Sequence, residues 1–509
     1  MYKAYITVLT NVRKHPNADR LQLADVFGNT VCVSLDYTEG QKVAYFPTDG
    51  QLSVEFAEKN NLVRKKDEAG NNVGGYLEPD KRNIRAIRLR GEKSDGIALP
   101  ISAFDYCYAH GDADTELFVG DVIDGCVNGH EICQKYIPRR PDPSRAHLHG
   151  GNKTRKHKTP TAPLFAEHAD TEQLAYNLGV FKPGDEVEIT LKMHGTSQRT
   201  GYLPVHAGYK DSIFRRIINK IIMGLKVRKD WGVDGRNALY HSLKHGEPIY
   251  DWGYVSGTRR VVLENYEGGF YGDNQFREQH SKIFEGKLNK GETVYYEVVG
   301  FTTSGQPIMG DASNKKLNDK EFIKQYGETT RFSYGCHPDG KKTMWGKDED
   351  GNYSIEIDVP QSDIYVYRMT MTNEDGFVVE YTPDFMRYRC EQMGVKCVPV
   401  FWKGIVPQFA EIMYVDKNEN DRPDADEIAY TKKTDAGEWV MQMAEQFYDG
   451  PDPIGKTHVR EGVVVRILNR PKFAAYKHKN FSFKVLEGII KDTAAAPDME
   501  EAQDVSEAE

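Results

Sequence analysis

The stretch Glu186-Val187-Glu188-Ile189-Thr190-Leu191-Lys192-Met193-His194-Gly195-Thr196-Ser197 decides how this chain is read. Its first six residues are mostly β-branched or apolar in alternation with polar ones, the pattern of a strand. The run ends on Lys192, and a glycine stands three residues later. A lysine is ordinarily a solvated surface charge, and that reading weakens where it ends an apolar strand beside a glycine through which a phosphate can approach. A lone K-x-x-G arises often by chance, so its weight comes from the order of the segments C-terminal to it.

Tyr254-Val255 reads as a strand leading into Ser256-Gly257-Thr258-Arg259-Arg260. Thr293–Val299 places Glu297 inside an apolar strand, just before Gly300. Ile364-Tyr365-Val366-Tyr367-Arg368 is an aromatic strand, and Glu461 heads the strand Gly462–Ile467. Lys477-His478-Lys479 lies beyond it, and alternation along a strand would turn both lysines to one face.

Taken in this order, the six segments resemble motifs I, Ia, III, IIIa, IV and V of the covalent nucleotidyltransferases, which include DNA ligases, RNA ligases and mRNA capping enzymes. The K-x-H-G form of Lys192–Gly195 and the K-x-K form of Lys477–Lys479 resemble the RNA ligases that seal nicked duplexes. The segment Phe165 to Leu174 is similar to that family's lead-in. The resemblance spans residues 164–490, with divergent stretches between motifs. It implies an ATP-dependent RNA ligase that joins 3′-OH and 5′-phosphate ends in duplex RNA or RNA–DNA hybrids, through lysyl-AMP and a 5′-adenylated strand. ATP and Mg²⁺ (or Mn²⁺) are the implied cofactors.

The same resemblance assigns roles. Lys192 is the expected nucleophile. An ammonium is inert, with a reference pKa of ~10.4, so burial near other cations such as Lys477, Lys479 and a metal ion would be needed to free its lone pair. Lys477 and Lys479 are expected on the α-phosphate. Arg259 is the expected phosphate contact, with Arg260 as the alternate, and Gly195 is expected beside the nucleotide. Glu461 is expected to hold the metal, and Glu297 to lie near the ribose or the lysine. Either glutamate has a plainer reading as a salt-bridged structural residue. Tyr367 is expected to stack on adenine, with Tyr365 as competitor. His194 is expected to assist at the phosphate or leaving group.

Outward from these motifs, length and composition bound the rest. A chain of 509 residues implies two or three domains. With 39% apolar and 28% charged residues it belongs to the globular class. No apolar run nears the ~20 residues of a membrane span, and Met1–Leu9 lacks the features of a signal peptide. Seven scattered cysteines without a C-x-x-C pair argue against a disulfide framework or zinc ribbon and for a reducing, cytoplasmic compartment. The net charge of −9 is misleading for a nucleic-acid enzyme, because seven acids from Asp492 onward account for all but −2 of it.

The expected architecture is α+β, with an OB-like β-barrel over residues 1–137 and a nucleotidyltransferase domain of mixed sheets over 164–490. Tyr5–Thr10, Thr30–Leu35 and Lys42–Phe46 read as barrel strands. His15–Leu21 and Leu89–Gly96 resemble segments of the OB-type tRNA-binding domains on some aminoacyl-tRNA synthetases, although ordinary turn chemistry also accounts for them. Residues 138–163 read as a basic Pro/Gly linker able to track a phosphate backbone, and 491–509 as an acidic disordered tail. Only about thirty residues follow Lys479, too few for the C-terminal OB domain of DNA ligases and capping enzymes.

Several features invite over-reading. Phe214–Leu225 reads as a packed helix, Asp348–Asn352 as a hairpin turn, and His147, His149 and His157 lack partners at metal-ligand spacing. Asp416–Glu427 mimics a calcium loop but has Asp421 where the glycine belongs and Pro423 inside. Insertions near 205–250, 338–360 and 416–436 carry no assignable role. The competing readings are an RNA- or tRNA-binding protein with a degenerate nucleotidyltransferase domain, and a DNA ligase or capping-type transferase. A monomer is expected, and no heptad repeat suggests a coiled coil, although the sequence does not itself reveal the oligomeric state.

Overall fold

The computed structural model describes residues 2–66, 72–108, 117–137, 160–169, 171–210, 247–263, 265–266, 271–272, 274–347, 353–408, 410–414, 429–433 and 435–492. The predicted Phe214–Leu225 helix, most of the basic linker, the 348–352 turn, the calcium-loop mimic and most of the acidic tail lie outside them.

The fold is mixed α+β, and two sheets position the site. One has the strand order Glu172–Gln173, Ala474–Lys479, Gly462–Ile467, Glu186–Leu191, Val400–Ile405. The other runs Pro248–Gly257, Thr196–Tyr209, Glu292–Gly300, Ser362–Thr372, Val378–Glu380, with Lys396–Cys397 also paired to Ser362–Thr372. Alternation in Glu186–Leu191 buries Val187, Ile189 and Leu191. The opposite face carries Glu188, which is also buried and therefore needs a partner.

The helix Pro383–Met393 supplies it. The Thr382 side chain accepts the Phe385 N–H at its start, Pro383 opens the first turn, and Gly394 in the left-handed region (φ 70) ends it. Arg387 Nη2 reaches Glu188 Oε2 of the first sheet at 2.8 Å. Arg389 grips Glu292 of the second sheet at 2.9 and 2.8 Å. One helix thereby clamps both sheets.

Residues 1–137 form short antiparallel sheets. Ile97–Pro100, Lys42–Phe46, Ala4–Val8 and Val122–Ile123 make one, and Thr10–Lys14, Gln22–Val26 and Asn29–Val33 another. Phe46, Phe56 and Phe104 fill the centre, with ring centroids 5.1 to 6.5 Å apart. Among the described residues these ladders do not join into the closed sheet expected from the strand pattern. The register of Thr10–Lys14 against Gln22–Val26 shifts between Thr10 and Arg13, where Asn11 takes a positive φ of 52.

The two regions share buried side chains. Ala86, from the hairpin Ala86–Leu89/Glu92–Asp95, lies in one cluster with Leu191, Met193, Phe481 and Phe483. Tyr176 packs against Tyr5 at 4.4 Å and Phe27 at 5.3 Å. No helix among the described residues is long and apolar enough to cross a membrane, and all seven cysteines are free thiols.

Candidate active site

Lys192-Met193-His194-Gly195 is the crossing between the sheets: Glu186–Leu191 ends in the first, and Thr196–Tyr209 begins in the second. The crossing is tight. A Cβ on Gly195 would lie 2.4 Å from the Val298 carbonyl oxygen and 2.9 Å from Glu297 Cγ, so glycine is required for backbone to pass over the neighbouring strand. This is a packing reason for the glycine, distinct from the phosphate approach expected of it. The Lys192 N–H donates to the Gly462 carbonyl at 3.0 Å, which sets the lysine beside Glu461.

Lys192 Nζ stands 2.7 Å from Glu461 Oε1. Lys479 Nζ is 3.5 Å from the same oxygen and also pairs with Glu487 at 2.8 Å. The Glu461 side chain is only 2% exposed. Burial alone would raise its pKa, but the charges of Lys192 and Lys479 outweigh that and hold it well below the usual carboxylate range. Lys477 has the opposite fate. Burial first, then the charges of Lys479, Lys192, Lys135 and Arg259, push its pKa down to about 8. The surplus of positive charge around Lys477 is that of an anion site.

His194 is held from three sides. Its main-chain N–H donates to the Tyr334 hydroxyl at 2.8 Å, and its ring sits edge-on to Phe332 and Phe483 at 4.6 and 4.7 Å. Its Nδ1 lies 3.6 Å from Glu461 Oε2, beyond hydrogen-bond reach, and that buried oxygen makes no hydrogen bond.

The second sheet brings the remaining groups. Glu297 is buried on the Glu292–Gly300 strand, opposite Ser197 on one side and Tyr365 on the other. Ser197 Oγ and the Tyr367 hydroxyl are 2.8 Å apart. Tyr296 pairs with Val366 and Tyr295 with Arg368, so Tyr367 is the extra residue of a bulge. Tyr365 is buried among Leu191, Met193 and Phe481, and its hydroxyl donates to Asp363 at 3.3 Å. Tyr367 is the less buried of the pair. Arg259, just beyond the Pro248–Gly257 strand, adds its charge at Lys477, and its neighbour Arg260 is the more exposed of the two.

His168 stood in the lead-in segment without a role, and the structure makes it central. Its Nδ1 accepts from Arg368 Nη1 at 3.3 Å, and its ring lies 5.0 Å from Tyr367 and 5.9 Å from Phe473. Burial, then Arg259, Arg368, Arg199 and Arg466, hold it neutral, well below the usual imidazole pKa. Tyr334, Phe332, Phe483 and Glu487 were missed too. They sit outside the recognisable motifs, and only the position of Glu487, one helical stretch past Lys479, offered any signal.

Among the described residues no group of three or more His, Cys, Asp or Glu side chains converges as a ready metal cage. The unbonded Glu461 oxygen still suits a hard divalent cation. Mg²⁺ commonly takes one or two carboxylates and completes its shell with phosphate oxygens and water.

No family model and no curated protein sequence matches this chain. Among solved structures it is similar to an RNA ligase from Naegleria gruberi. A lysine-to-alanine mutant of that protein with ATP and Mn aligns at 15% identity and a TM-score of 0.48, over 94% of this chain and 98% of that one. The same ligase with PPi aligns at 15% identity and a TM-score of 0.46, over 94% and 97%. At such values the likeness leaves the functional reading to the geometry of the site.

Proposed function

We propose that this chain is an ATP-dependent RNA ligase whose Lys192 becomes covalently adenylated. The observation that carries the reading is that Lys192 and Lys479 share the buried carboxylate of Glu461 at a tight crossing between two sheets, with Lys477 on the same strand as Lys479 and crowded by further cations. Structural ion pairs also bury carboxylates, but the cations gathered around Lys477 (Lys479, Lys192, Lys135 and Arg259) leave an excess of positive charge that a polyphosphate would complete.

In the proposed reaction, Lys192 Nζ attacks the α-phosphorus of ATP and pyrophosphate leaves with its electron pair. AMP passes to the 5′-phosphate of a strand, and a 3′-hydroxyl then displaces AMP to close the phosphodiester. Lys477 and Lys479 neutralise the α-phosphate oxygens as charge builds on them. Arg259 contacts the nucleotide's phosphates, Gly195 leaves room beside them, and His194 is held at the leaving-group side. Glu297 serves the ribose. Tyr367, with its hydroxyl fixed by Ser197, offers its ring to adenine. Glu461 pairs with Lys192 through Oε1 and carries, in Oε2, the oxygen suited to Mg²⁺ or Mn²⁺. A bound divalent ion would supply charge neutralisation at the phosphates.

The nucleotidyltransferase unit of this proposal spans 164–490. Residues 1–137 serve it as an OB-like nucleic-acid-binding module, a role supported by its short antiparallel sheets around an aromatic centre. The proposed substrate is a nick in duplex RNA or an RNA–DNA hybrid, handled by a monomer in the cytoplasm, where seven free thiols would persist.

The test is incubation with radiolabelled ATP and Mg²⁺, wild type beside Lys192→Ala, then denaturing electrophoresis. A covalent label on wild type alone is expected. Absence of label with ATP, GTP and NAD, with Mn²⁺ also tried, would leave the chain as an RNA-binding protein.

A further inference from the structure

Positive charge on residues 1–137 is unevenly placed. Acids outnumber bases in this region, yet six of its sixteen Lys and Arg residues fall between Lys81 and Lys93, with Glu92 the one acid among them. Three of the six, Arg88, Arg90 and Lys93, belong to the hairpin Ala86–Leu89/Glu92–Asp95, whose turn is Arg90-Gly91, and the other three lie just before it.

The turn is held in place. His15 Nε2 is 3.1 Å from the Leu89 carbonyl, Asn17 Nδ2 donates to the Arg90 carbonyl at 3.0 Å, and Arg90 Nη1 donates to the Asn17 carbonyl at 3.2 Å. These contacts keep Arg90 in the left-handed region at φ 46, a conformation that an unbraced arginine avoids. His15–Leu21 and Leu89–Gly96, far apart in the sequence, are thus one braced tip. Arg90 and Lys93 are exposed, and among the described residues neither makes an ion pair.

The hairpin is fastened to the helix Phe481–Asp492, which is separated from Lys479 by Asn480 alone. Asp95 pairs with Lys484 at 2.5 Å, and Lys93 Nζ lies 5.3 Å from the Phe481 ring centroid. Glu487 of the same helix holds Lys479. One helix therefore touches both Lys479, which lies beside Glu461, and the basic hairpin.

We propose that the Arg90–Lys93 edge is the track along which the phosphate backbone of the RNA leaves the active site. An edge of exposed guanidinium and ammonium groups that lacks ion-pair partners, on an otherwise acidic module, matches a polyanion of regular charge spacing. This rests on the ligase reading and names the surface by which that site holds its substrate.

The test uses the full-length wild type, the double variant Arg90→Ala/Lys93→Ala, and Lys59→Ala as an exposed-lysine control from the Val54–Lys59 helix. Each is measured for label transfer from ATP to protein and for affinity to a nicked RNA duplex across a salt series. The double variant should take up label as wild type does. Its RNA affinity should fall about 10-fold or more, with a slope of log affinity against log salt smaller by about 2, one for each lost phosphate contact. An unchanged affinity and slope in the double variant, or an equal loss in Lys59→Ala, would overturn the track. So would a wild type that labels normally yet binds no RNA, which would assign the edge to a protein partner. If the wild type takes no label, the ligase reading fails, while the comparison of slopes still decides the track.

Discussion

At the scale of single residues, Glu461 is the most constrained group in the site. It is buried, ionised and shared by Lys192 and Lys479. Glu461→Gln keeps the shape and removes the charge. If the carboxylate holds the metal, covalent labelling from ATP should fall by roughly 100-fold or more, the order of loss seen when one preorganised electrostatic contact is removed. Labelling retained at the wild-type rate would mark Glu461 as a structural ion-pair partner. Gly195 shows how a residue type can be legible while its reason is not: the motif requires glycine, but the Val298 carbonyl that excludes a Cβ belongs to a strand far along the chain.

At the scale of elements, the Ala474–Lys479 strand carries the titrating group. Lys477 has a pKa lowered to about 8 by burial and by four neighbouring cations. A bound phosphate would favour its charged form, so above pH 8 nucleotide binding is accompanied by proton uptake. Affinity for ATP or pyrophosphate should therefore weaken as pH rises past about 8, by up to tenfold per pH unit. Calorimetric titration in buffers of different ionisation enthalpy would detect that proton, and a flat affinity between pH 7 and 9 would refute it. The helix Pro383–Met393 makes a second prediction. Arg389→Met strands the Glu292 carboxylate, which is 1% exposed, and should cost about 3 kcal/mol in urea unfolding. Burial raises the Glu292 pKa, but its bonds to Arg389 and others lower it overall. The wild-type contribution is thus present above the unfolded-state pKa of ~4.3 and lost as pH falls below it. A loss under about 1 kcal/mol would mean that the arginine is dispensable.

At the scale of the whole molecule, residues 1–137 and the two-sheet region are joined through shared core. Ala86 is buried among Leu191, Phe481 and Phe483, and Lys484 pairs with Asp95. Separate folding units would part without exposing such a cluster. Here parting would expose it, so the regions should unfold together. Fluorescence from a tryptophan introduced at Phe46 and from the native Trp402 and Trp439 should give coincident urea transitions. Two separated midpoints would show that the shared cluster is too small to couple them.

Local pattern made much of this protein legible. Alternation defined Glu186–Leu191 and Gly462–Ile467, because a strand's period of two is written in consecutive residues. Order along the chain picked out Lys192, Glu461, Lys477 and Lys479 as a set. Tertiary structure alone decided which of these touch: the 2.7 Å pair of Lys192 with Glu461 depends on two strands meeting in one register. It also decided what the motifs left blank. His168 lies among arginines contributed by separate segments, Tyr334 reaches across to the His194 N–H, and Arg387 and Arg389 clamp two sheets from one helix. Among the described residues the ladders of 1–137 do not join into the one closed sheet that alternation led us to expect. Alternation marks strands, but closure depends on register and on bulges such as the one at Asn11, which only the packed chain sets.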